Sequence, residues 1–354
     1  MNQPIAIEAG SFRQSSKLPI RHISACVDDT LELIRKRQSG EEGSLKTGFP
    51  SLDKALLGGL EWNRILTIAG MSGGGKSITA ELLKKNFIEL NEQKFDILSF
   101  SFEMPAVDDL SRLVSNKLSM DRETLYSAYS PISEENIVHV QEALSEISST
   151  RVYVVEVPGS AHEIYDTIMD FFLTRNLVEN DTGLVVTLDH TLLVSGKTDK
   201  EKSIIDELYK MFVQLKKEII SMGGKIIIIP LSQLNREIEN EKRVMNPKLH
   251  YPQKSDLFAA SSAYYCSDYV LVIHKPSLIN GISYNYGPQI GTTYPKGLPV
   301  YNPNNPDEAM VYFHLIKNRF GQSNTILMMI DQFAYSRIVP YTGRNEGEYV
   351  PNPN

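Results

Sequence analysis

The chain has few cysteines and no long apolar run, and both absences narrow its class. Its 354 residues include two cysteines, Cys26 and Cys266, which are far apart and form no metal-binding pattern. This excludes a disulfide framework and favours a reducing compartment, so we expect a cytoplasmic protein. No apolar run is long enough to span a membrane, and the N-terminus lacks the apolar core of a signal peptide. The sequence therefore predicts no membrane partner.

An excess of basic residues is also missing. The 36 Lys and Arg residues are outnumbered by 43 Asp and Glu residues, which gives a formal net charge of -7. This balance excludes a broad basic surface for nucleic acid, but it allows a local basic lining inside a channel. The length allows one large domain or two medium ones with a sizeable core.

The most informative segment present is glycine-rich. It runs Gly-Met-Ser-Gly-Gly-Gly-Lys-Ser from Gly70 to Ser77 and fits the P-loop pattern G-x-x-x-x-G-K-[ST]. A strand-like run, 65–69, precedes it, and a helix-like run, Ile78 to Leu90, follows it. The alternative is a glycine-rich turn that binds nothing, but the flanking strand and helix favour a nucleotide site.

We expect this site to bind ATP and Mg²⁺. Glycines let backbone N–H groups surround phosphate oxygens, and the helix N-terminus adds the positive end of its dipole. Lys76 is expected to reach the β- and γ-phosphates, and Ser77 to bind the metal ion. The predicted phosphate-binding residues are Gly70, Ser72, Gly73, Gly74, Gly75, Lys76 and Ser77.

Strand-like and helix-like runs alternate along most of the chain, which predicts an α/β fold with a mainly parallel sheet and flanking helices. The predicted strands are 65–69, 96–101, 152–156, 184–188, 225–231, 269–274, 311–316 and 325–330. The clearest helix lies between the strands at 184–188 and 225–231. Its apolar face contains Ile205, Leu208, Met211, Phe212, Leu215, Ile219 and Met222, and Gly223-Gly224 ends it.

Four segments are predicted along the chain. Residues 1–22 are expected to form a flexible tail, and 23–44 a linker helix followed by a linker. The main domain is 45–340, with 276–309 as a long loop or insertion, and 341–354 is expected to be disordered. The apolar stripe of the linker helix, Ile23, Val27, Leu31 and Ile34, must be buried either on its own domain or on a neighbouring subunit.

Carboxylates follow two predicted strands beside the P-loop. Asp189 ends the apolar run 184–188, as in a Walker B motif, and is expected to hold the Mg²⁺ shell. Glu103 follows 96–101 and could orient or deprotonate the attacking water. The alternatives are an ordinary strand-end Asp and a helix-initiating Glu ahead of Pro105.

Three more polar residues follow other strands. Gln233 could contact the γ-phosphate and transmit its loss to the next loop. Arg319, with Lys317 beside it, could reach a neighbouring subunit's γ-phosphate as an arginine finger. Taken alone, these residues also suit a polar strand end and a solvated surface hairpin.

Together these segments resemble the C-terminal motor domain of the DnaB family of hexameric replicative DNA helicases. The resemblance covers roughly residues 23 to 331. Its matching pieces are Thr47-Gly48-Phe49, Leu52-Asp53, Gly58-Gly59-Leu60, the P-loop, Phe100-Ser101-Phe102-Glu103-Met104, Leu188-Asp189, Ser232-Gln233-Leu234-Asn235-Arg236, Ser255-Asp256-Leu257 leading to Asp268, and Lys317-Asn318-Arg319-Phe320-Gly321.

The resemblance implies a RecA-like core, a homo-oligomeric ring that is expected to be a hexamer, ATP hydrolysis between subunits and translocation on single-stranded DNA. It also implies that the helix at 23–37 packs on the adjacent subunit, and it makes a primase or a helicase loader a candidate partner. A motor of this length is typical of a phage or mobile element, for which the compartment would be the host cytoplasm.

The sequence departs from the family pattern in three places. The family's N-terminal helical domain is expected to be absent, which puts primase recruitment in doubt. Phe258-Ala259-Ala260-Ser261 replaces a polar stretch, so phosphate contacts there would come from backbone N–H groups. The segment 276–309 is longer than the family needs.

Two stretches that follow predicted strands, 195–202 and 236–254, are expected to face the ring axis and to bind DNA phosphates. Charge runs are more often solvated loops, but a few cations repeated around a ring would line a channel. The candidate DNA-binding residues are Lys197, Lys200, Arg236, Arg243 and Ser261.

Two other classes remain open. One is a RecA-like recombinase, which would catalyse strand exchange, and the other is a regulatory or accessory ATPase that binds DNA or a host helicase without unwinding. Strand displacement on a forked duplex distinguishes the helicase from both.

Overall fold

The computed structural model describes residues 20, 22–39, 44–196, 200–246, 249–281, 284, 297–323 and 325–341. The chain divides between Gly43 and Ser44 into two compact units. The first unit contains α1 (Val27–Ser39), which follows a short 3₁₀ helix (Ile23–Cys26). The predicted amphipathic helix is therefore present, and the four side chains of its apolar stripe are all exposed.

The second unit is built on one sheet, in which the described residues form ten strands. The strands are β1 (Arg64–Gly70), β2 (Phe95–Ser101), β3 (Val152–Val155), β4 (Gly183–Asp189), β5 (Ile226–Gln233), β6 (Tyr269–His274), β7 (Tyr301–Asn302), β8 (Asn305–Asn318), β9 (Thr325–Gln332) and β10 (Arg337–Pro340). Their order is β10-β9-β8-β6-β1-β5-β4-β2-β3, and β7 pairs with β8. All pairs from β6 to β3 are parallel, whereas β7 to β10 form an antiparallel extension.

Helices cover both faces of this sheet. The described helices of this unit are α2 (Pro50–Ala55), α3 (Lys76–Leu90), α4 (Ala106–Leu118), α5 (Arg122–Tyr126), α6 (Glu134–Ser148), α7 (Ala161–Thr174), α8 (Glu201–Ser221), α9 (Glu241–Val244) and α10 (Ala260–Cys266). Apolar residues of α2 and α3 pack on one face, and those of α7 and α8 pack on the other. None of the helices in the described part of the chain is both long and apolar enough to cross a membrane.

The predicted α/β fold with a mainly parallel sheet is confirmed, because each predicted strand corresponds to an observed one. The structure also contains β7 and β10, which are too short to produce a clear apolar pattern. It corrects the expected loop at 276–309, since β8 begins at Asn305. That part of β8 is polar and exposed, so it lacks the apolar alternation of a strand.

The carboxyl ends of the parallel strands all lie on the same side of the sheet, and we call this side the P-loop edge. Gly70 at the end of β1 pairs with Gln233 of β5 on one side and with Ile273 of β6 on the other. Ser101 at the end of β2 pairs with Asp189 at the end of β4. The loops after all of these strands therefore meet above the same edge.

Candidate active site

The glycines of the P-loop are required by its geometry. Gly75 precedes α3 with a φ of 98°, and Gly73 has a φ of 70°, both in the left-handed region that favours glycine. A Cβ on Gly70 would lie 2.7 Å from the carbonyl oxygen of Ile273. The segment from Gly70 to Ser77 thus forms the predicted tight turn between β1 and α3.

Lys76 is buried at the start of α3. Its Nζ donates a hydrogen bond to the Met71 carbonyl oxygen at 2.8 Å. Burial lowers the pKa of Lys76, and the carboxylates of Asp189 and Glu103 oppose that shift. The ammonium group therefore lies in the field of both predicted catalytic carboxylates, within the same loop that would surround phosphate.

Asp189 carries an unsatisfied carboxylate oxygen. Its Oδ1 is buried and has no hydrogen-bond partner. A buried carboxylate oxygen without a donor suits a cation, and Ser77, in the first turn of α3, has a hydroxyl oxygen of the kind that Mg²⁺ accepts. No group of three or more His, Cys, Asp or Glu side chains in the described ranges forms a separate metal site.

Glu103 lies beside a residue that the sequence analysis missed. His190 directly follows Asp189 and is buried, and its Nε2 is 3.4 Å from Oε2 of Glu103. Burial lowers the pKa of His190, and Glu103 and Asp189 oppose the shift. The Glu103 side chain is 53% exposed, so it can still meet a water molecule. A histidine next to a strand-end Asp was the available signal for this contact.

Gln233 lies between the P-loop and the following segment. It pairs with Gly70 in the sheet, and its backbone carbonyl accepts a hydrogen bond from the Phe258 N–H at 3.0 Å. Its side chain is half-buried at the same edge as Lys76 and Asp189. A change at Gln233 can therefore reach the segment that contains Phe258 through a single hydrogen bond.

Arg319 and Lys317 lie away from this edge. β8 runs antiparallel to β6, and Asn318 pairs with Tyr269 at the amino end of β6. Lys317 donates to the carbonyl oxygens of Tyr264 and Ser267 at 2.5 and 2.7 Å. The structure therefore separates these two residues from the P-loop of their own chain.

The predicted DNA-binding residues have different environments. Lys197 lies outside the described residues. Lys200 precedes α8, Arg236 begins a 3₁₀ helix after β5, and Ser261 lies in the first turn of α10; all three are exposed. Lys200 and Arg236 follow strands that end at the P-loop edge.

Arg243 requires a correction. Its guanidinium makes a bidentate pair with buried Asp256, at 2.6 and 2.5 Å, and also donates to the carbonyl oxygens of Leu249 and Tyr251. The side chain is only 15% exposed. We therefore assign Arg243 to holding this loop in place rather than to DNA contact, because four of its five N–H donors already bond inside the protein.

Comparison with known proteins places these features in a family. The family model of the DnaB-like helicase C-terminal domain matches residues 44–336. A probable replicative DNA helicase of Guillardia theta is 27% identical over 225 residues, which are 64% of this chain and 35% of that protein. The match thus spans about a third of the length of this curated relative.

Two solved structures share the fold. The ATPase domain of G40P has a TM-score of 0.69 and 18% identity, over 91% of this chain and 100% of that chain. A DnaB-like replicative helicase, described with its interactions with primase, has a TM-score of 0.66 and 18% identity, over 92% of this chain and 68% of that chain. At this identity the likeness concerns the fold alone.

Proposed function

The chain belongs to the DnaB-like helicase C-terminal domain family, and from this premise we propose that it is an ATP-driven DNA helicase motor. It would assemble into a ring, expected to be hexameric, that translocates on single-stranded DNA and unwinds duplex DNA during replication. The observation that supports this most is the convergence of Lys76, the unpartnered Oδ1 of Asp189 and Glu103 at the carboxyl ends of the parallel strands.

The proposed chemistry at this edge is ATP hydrolysis. The backbone N–H groups of the P-loop bind the phosphates, and Lys76 exchanges the Met71 carbonyl for phosphate oxygens. Ser77 and Asp189 would hold Mg²⁺, which would supply positive charge against the negative charge that develops on the phosphates. Glu103 takes the proton of the attacking water.

His190 and Gln233 have supporting roles in this proposal. His190 is buried and has a lowered pKa, so it approaches Glu103 as a neutral ring and orients the carboxylate without a full ion pair. Gln233 contacts the γ-phosphate, and its backbone bond to Phe258 passes the loss of that phosphate to the following segment.

Arg319 is proposed to complete the site of a neighbouring subunit. Tyr269 pairs with both Leu66 and Asn318, whereas Ile273 pairs with Gly70. The levels of Asn318, which precedes Arg319, and of Gly70, which begins the P-loop, therefore differ by roughly 13 Å along the strands, at about 3.3 Å per residue. An arginine side chain that cannot reach its own γ-phosphate remains available to a neighbour.

We also propose that α1 of one subunit docks on the motor domain of the next. A groove of about 480 Å³ lies between α3, α4 and α6, over the edge of the sheet at β3. Its lining includes Leu110, Leu144 and Val154, which are large apolar side chains that remain exposed. An amphipathic helix with an exposed apolar stripe is the shape of partner that such a groove accepts.

Exposed Lys200 and Arg236 are proposed to contact DNA phosphates, together with Lys197 and the segment at Ser261. Primase and a helicase loader remain candidate partners, and the cytoplasm the proposed compartment. The G40P domain and the helicase described with primase support these proposals only in that this chain shares their fold.

Steady-state ATP hydrolysis tests the proposal. We expect turnover that needs Mg²⁺ and rises on addition of single-stranded DNA. Lys76→Ala should abolish turnover, and Glu103→Gln should retain nucleotide binding while losing hydrolysis. Circular dichroism and binding of a fluorescent nucleotide control for folding, and undiminished turnover in a folded Lys76→Ala protein would rule out this site.

The rival classes give different results in the same preparations. A recombinase would exchange homologous strands without displacing a fork. An accessory ATPase or scaffold would bind nucleotide or DNA without separating strands. The match to the DnaB-like helicase C-terminal domain family favours the motor.

A further inference from the structure

A buried carboxylate connects Arg319 to the strand that carries the P-loop. Asp268 lies just before β6, and its side chain is almost fully buried. Its Oδ1 accepts a hydrogen bond from Nη1 of Arg319 at 2.9 Å. Its Oδ2 accepts hydrogen bonds from Nζ of Lys216 at 2.7 Å and from the Ile65 N–H at 3.0 Å. Donors from β1, α8 and the end of β8 therefore meet on one carboxylate.

The backbone holds this carboxylate in place from both sides. The Asp268 N–H donates to the Ile65 carbonyl at 2.9 Å, and the Arg319 N–H donates to the Asp268 carbonyl at 3.1 Å. Ile65 belongs to β1, which leads directly into the P-loop. Asp268 is therefore held rigidly by the backbone, and its carboxylate fixes the position of the Arg319 guanidinium.

A second buried Asp–Arg pair of the motor domain provides a comparison. Asp256 binds Arg243 through both carboxylate oxygens, and the Arg243 side chain is 15% exposed. Arg319 meets Asp268 through a single oxygen, and its side chain is 49% exposed. The first pair uses its arginine almost fully inside the protein. In the second, Nη1 of Arg319 is held by Asp268 and Nη2 makes a longer contact of 3.4 Å with the Tyr265 carbonyl oxygen, while half of the side chain stays exposed.

We propose that Asp268 is the positioning residue of Arg319, holding one side of its guanidinium so that the exposed side meets the γ-phosphate bound by the neighbouring subunit. This inference rests on the proposed function. Catalysis by such a group depends on placement, and an error of about 1 Å can cost on the order of 10²-fold in rate.

The charges around Asp268 support this role. Lys216, Lys317 and Arg319 all lie near its carboxylate. Burial lowers the pKa of Lys317, Arg319 adds to that effect, and Asp268 opposes it. Without the carboxylate, the guanidinium would keep only the 3.4 Å contact with the Tyr265 carbonyl oxygen and would face two like charges, which would push it from its position.

The first test is the ATPase activity of Asp268→Asn, a substitution that keeps the shape of the side chain. We expect kcat to fall by about tenfold to a hundredfold. KM for ATP should stay within about twofold, because the affected arginine belongs to the neighbour's site. Asp256→Asn is the matched control: it breaks the buried pair with Arg243 and should lower thermal stability while leaving basal turnover without DNA unchanged.

Mixed rings distinguish positioning from a general structural defect. Asp268→Asn subunits mixed with Lys76→Ala subunits should regain activity, since intact P-loops then meet intact fingers at about a quarter of random head-to-tail interfaces. Asp268→Asn mixed with Arg319→Ala should gain nothing, because every finger is then absent or misplaced. Recovery in the second mixture, or in neither, would overturn the proposal, and so would wild-type turnover of Asp268→Asn.

Two further measurements keep the test decisive. Asp268→Glu preserves the ion pairs if the Asn variant does not fold, and its longer side chain should reproduce the same complementation pattern with a lower kcat. If Arg319→Ala alone retains turnover, the arginine-finger part of the proposed function has failed. If Arg319→Ala is inactive and the Asp268 variants are normal, only the positioning role has failed.

Discussion

Lys76 lies at the carboxyl ends of the parallel strands, and Arg319 lies at their amino ends. Lys76 follows the carboxyl end of β1, whereas Arg319 follows β8 at the level where β6 begins. One subunit therefore presents a P-loop on one side and an arginine on the other, which suits a head-to-tail ring in which each site is shared.

This arrangement predicts complementation between two inactive variants. Arg319→Ala should bind nucleotide nearly normally and hydrolyse it slowly, with a loss of up to ~10³-fold or more. Lys76→Ala should also be inactive, yet random mixed rings should recover activity at about a quarter of interfaces.

Dissociated and reassembled mixtures would be assayed, with native mass spectrometry to establish mixing. Mixed rings as inactive as either variant would contradict a trans role, unless several competent interfaces must act together. To test that exception, each variant is mixed with wild-type protein in increasing proportion, and the ATPase activity of the mixed rings is measured.

The exposed stripe of α1 predicts a role in assembly. Deletion of residues 1–40 should leave a folded monomer that binds nucleotide but assembles poorly. Leu31→Glu, on the stripe, should weaken assembly in the same way, because a charged group would then have to be buried.

Leu33→Glu is the matched control, since Leu33 is a similarly exposed leucine off the stripe of α1. Multi-angle light scattering measures the result. Intact hexamers after the deletion, or equal losses for both leucine variants, would argue against docking through the stripe.

The candidate DNA contacts predict a change in salt dependence. Lys197→Ala combined with Lys200→Ala should weaken binding of single-stranded DNA of any sequence. The slope of log K against log salt should fall by about one ion per lost contact. Lys225→Ala is the control, because Lys225 precedes β5 at the opposite edge and pairs with Asp181. An unchanged slope in the double variant would assign both lysines to solvated loops.

Two buried histidines predict a loss of stability in mild acid. Burial lowers the pKa of His274 to about 3 and that of His314 well below its usual value. Between the unfolded pKa of about 6.5 and these folded values, the unfolded chain binds more protons, so stability falls as the pH falls.

His274→Phe removes one of these groups. From pH 6 to pH 5 the wild type should lose about 1 kcal/mol more free energy of unfolding than the variant, by the linkage relation. Urea titrations at the two pH values measure the difference. Equal losses would mean that His274 is protonated in the folded protein.

Much of the fold and of the candidate nucleotide site could be predicted, because both depend on local patterns. The strand before Gly70, the helix after Ser77 and the carboxylate at Asp189 each follow from a short stretch of sequence. Contacts between distant segments could not be predicted in this way. From the sequence, Arg243 was a candidate for DNA contact. The structure shows that its guanidinium bonds to Asp256, Leu249 and Tyr251, and its charge alone does not predict these partners.

The same limit applies to the residues that support the site. Asp268 and Arg319 are brought together by the pairing of β6 with β8, and no periodicity predicts that register. β7 is two residues long and lies at the margin of the sheet, where few apolar contacts mark a strand.

The central claim is that hydrolysis at Lys76 and Glu103 drives strand separation, and a fork-unwinding assay tests it most directly. Wild-type protein with ATP and Mg²⁺ should displace the labelled strand of a forked duplex. Lys76→Ala and Glu103→Gln should leave the fork intact while retaining their fold, and Glu103→Gln should still bind nucleotide. ATP hydrolysis by the wild type without strand displacement, on forks with either a 5′ or a 3′ tail, would contradict the helicase and favour an accessory ATPase.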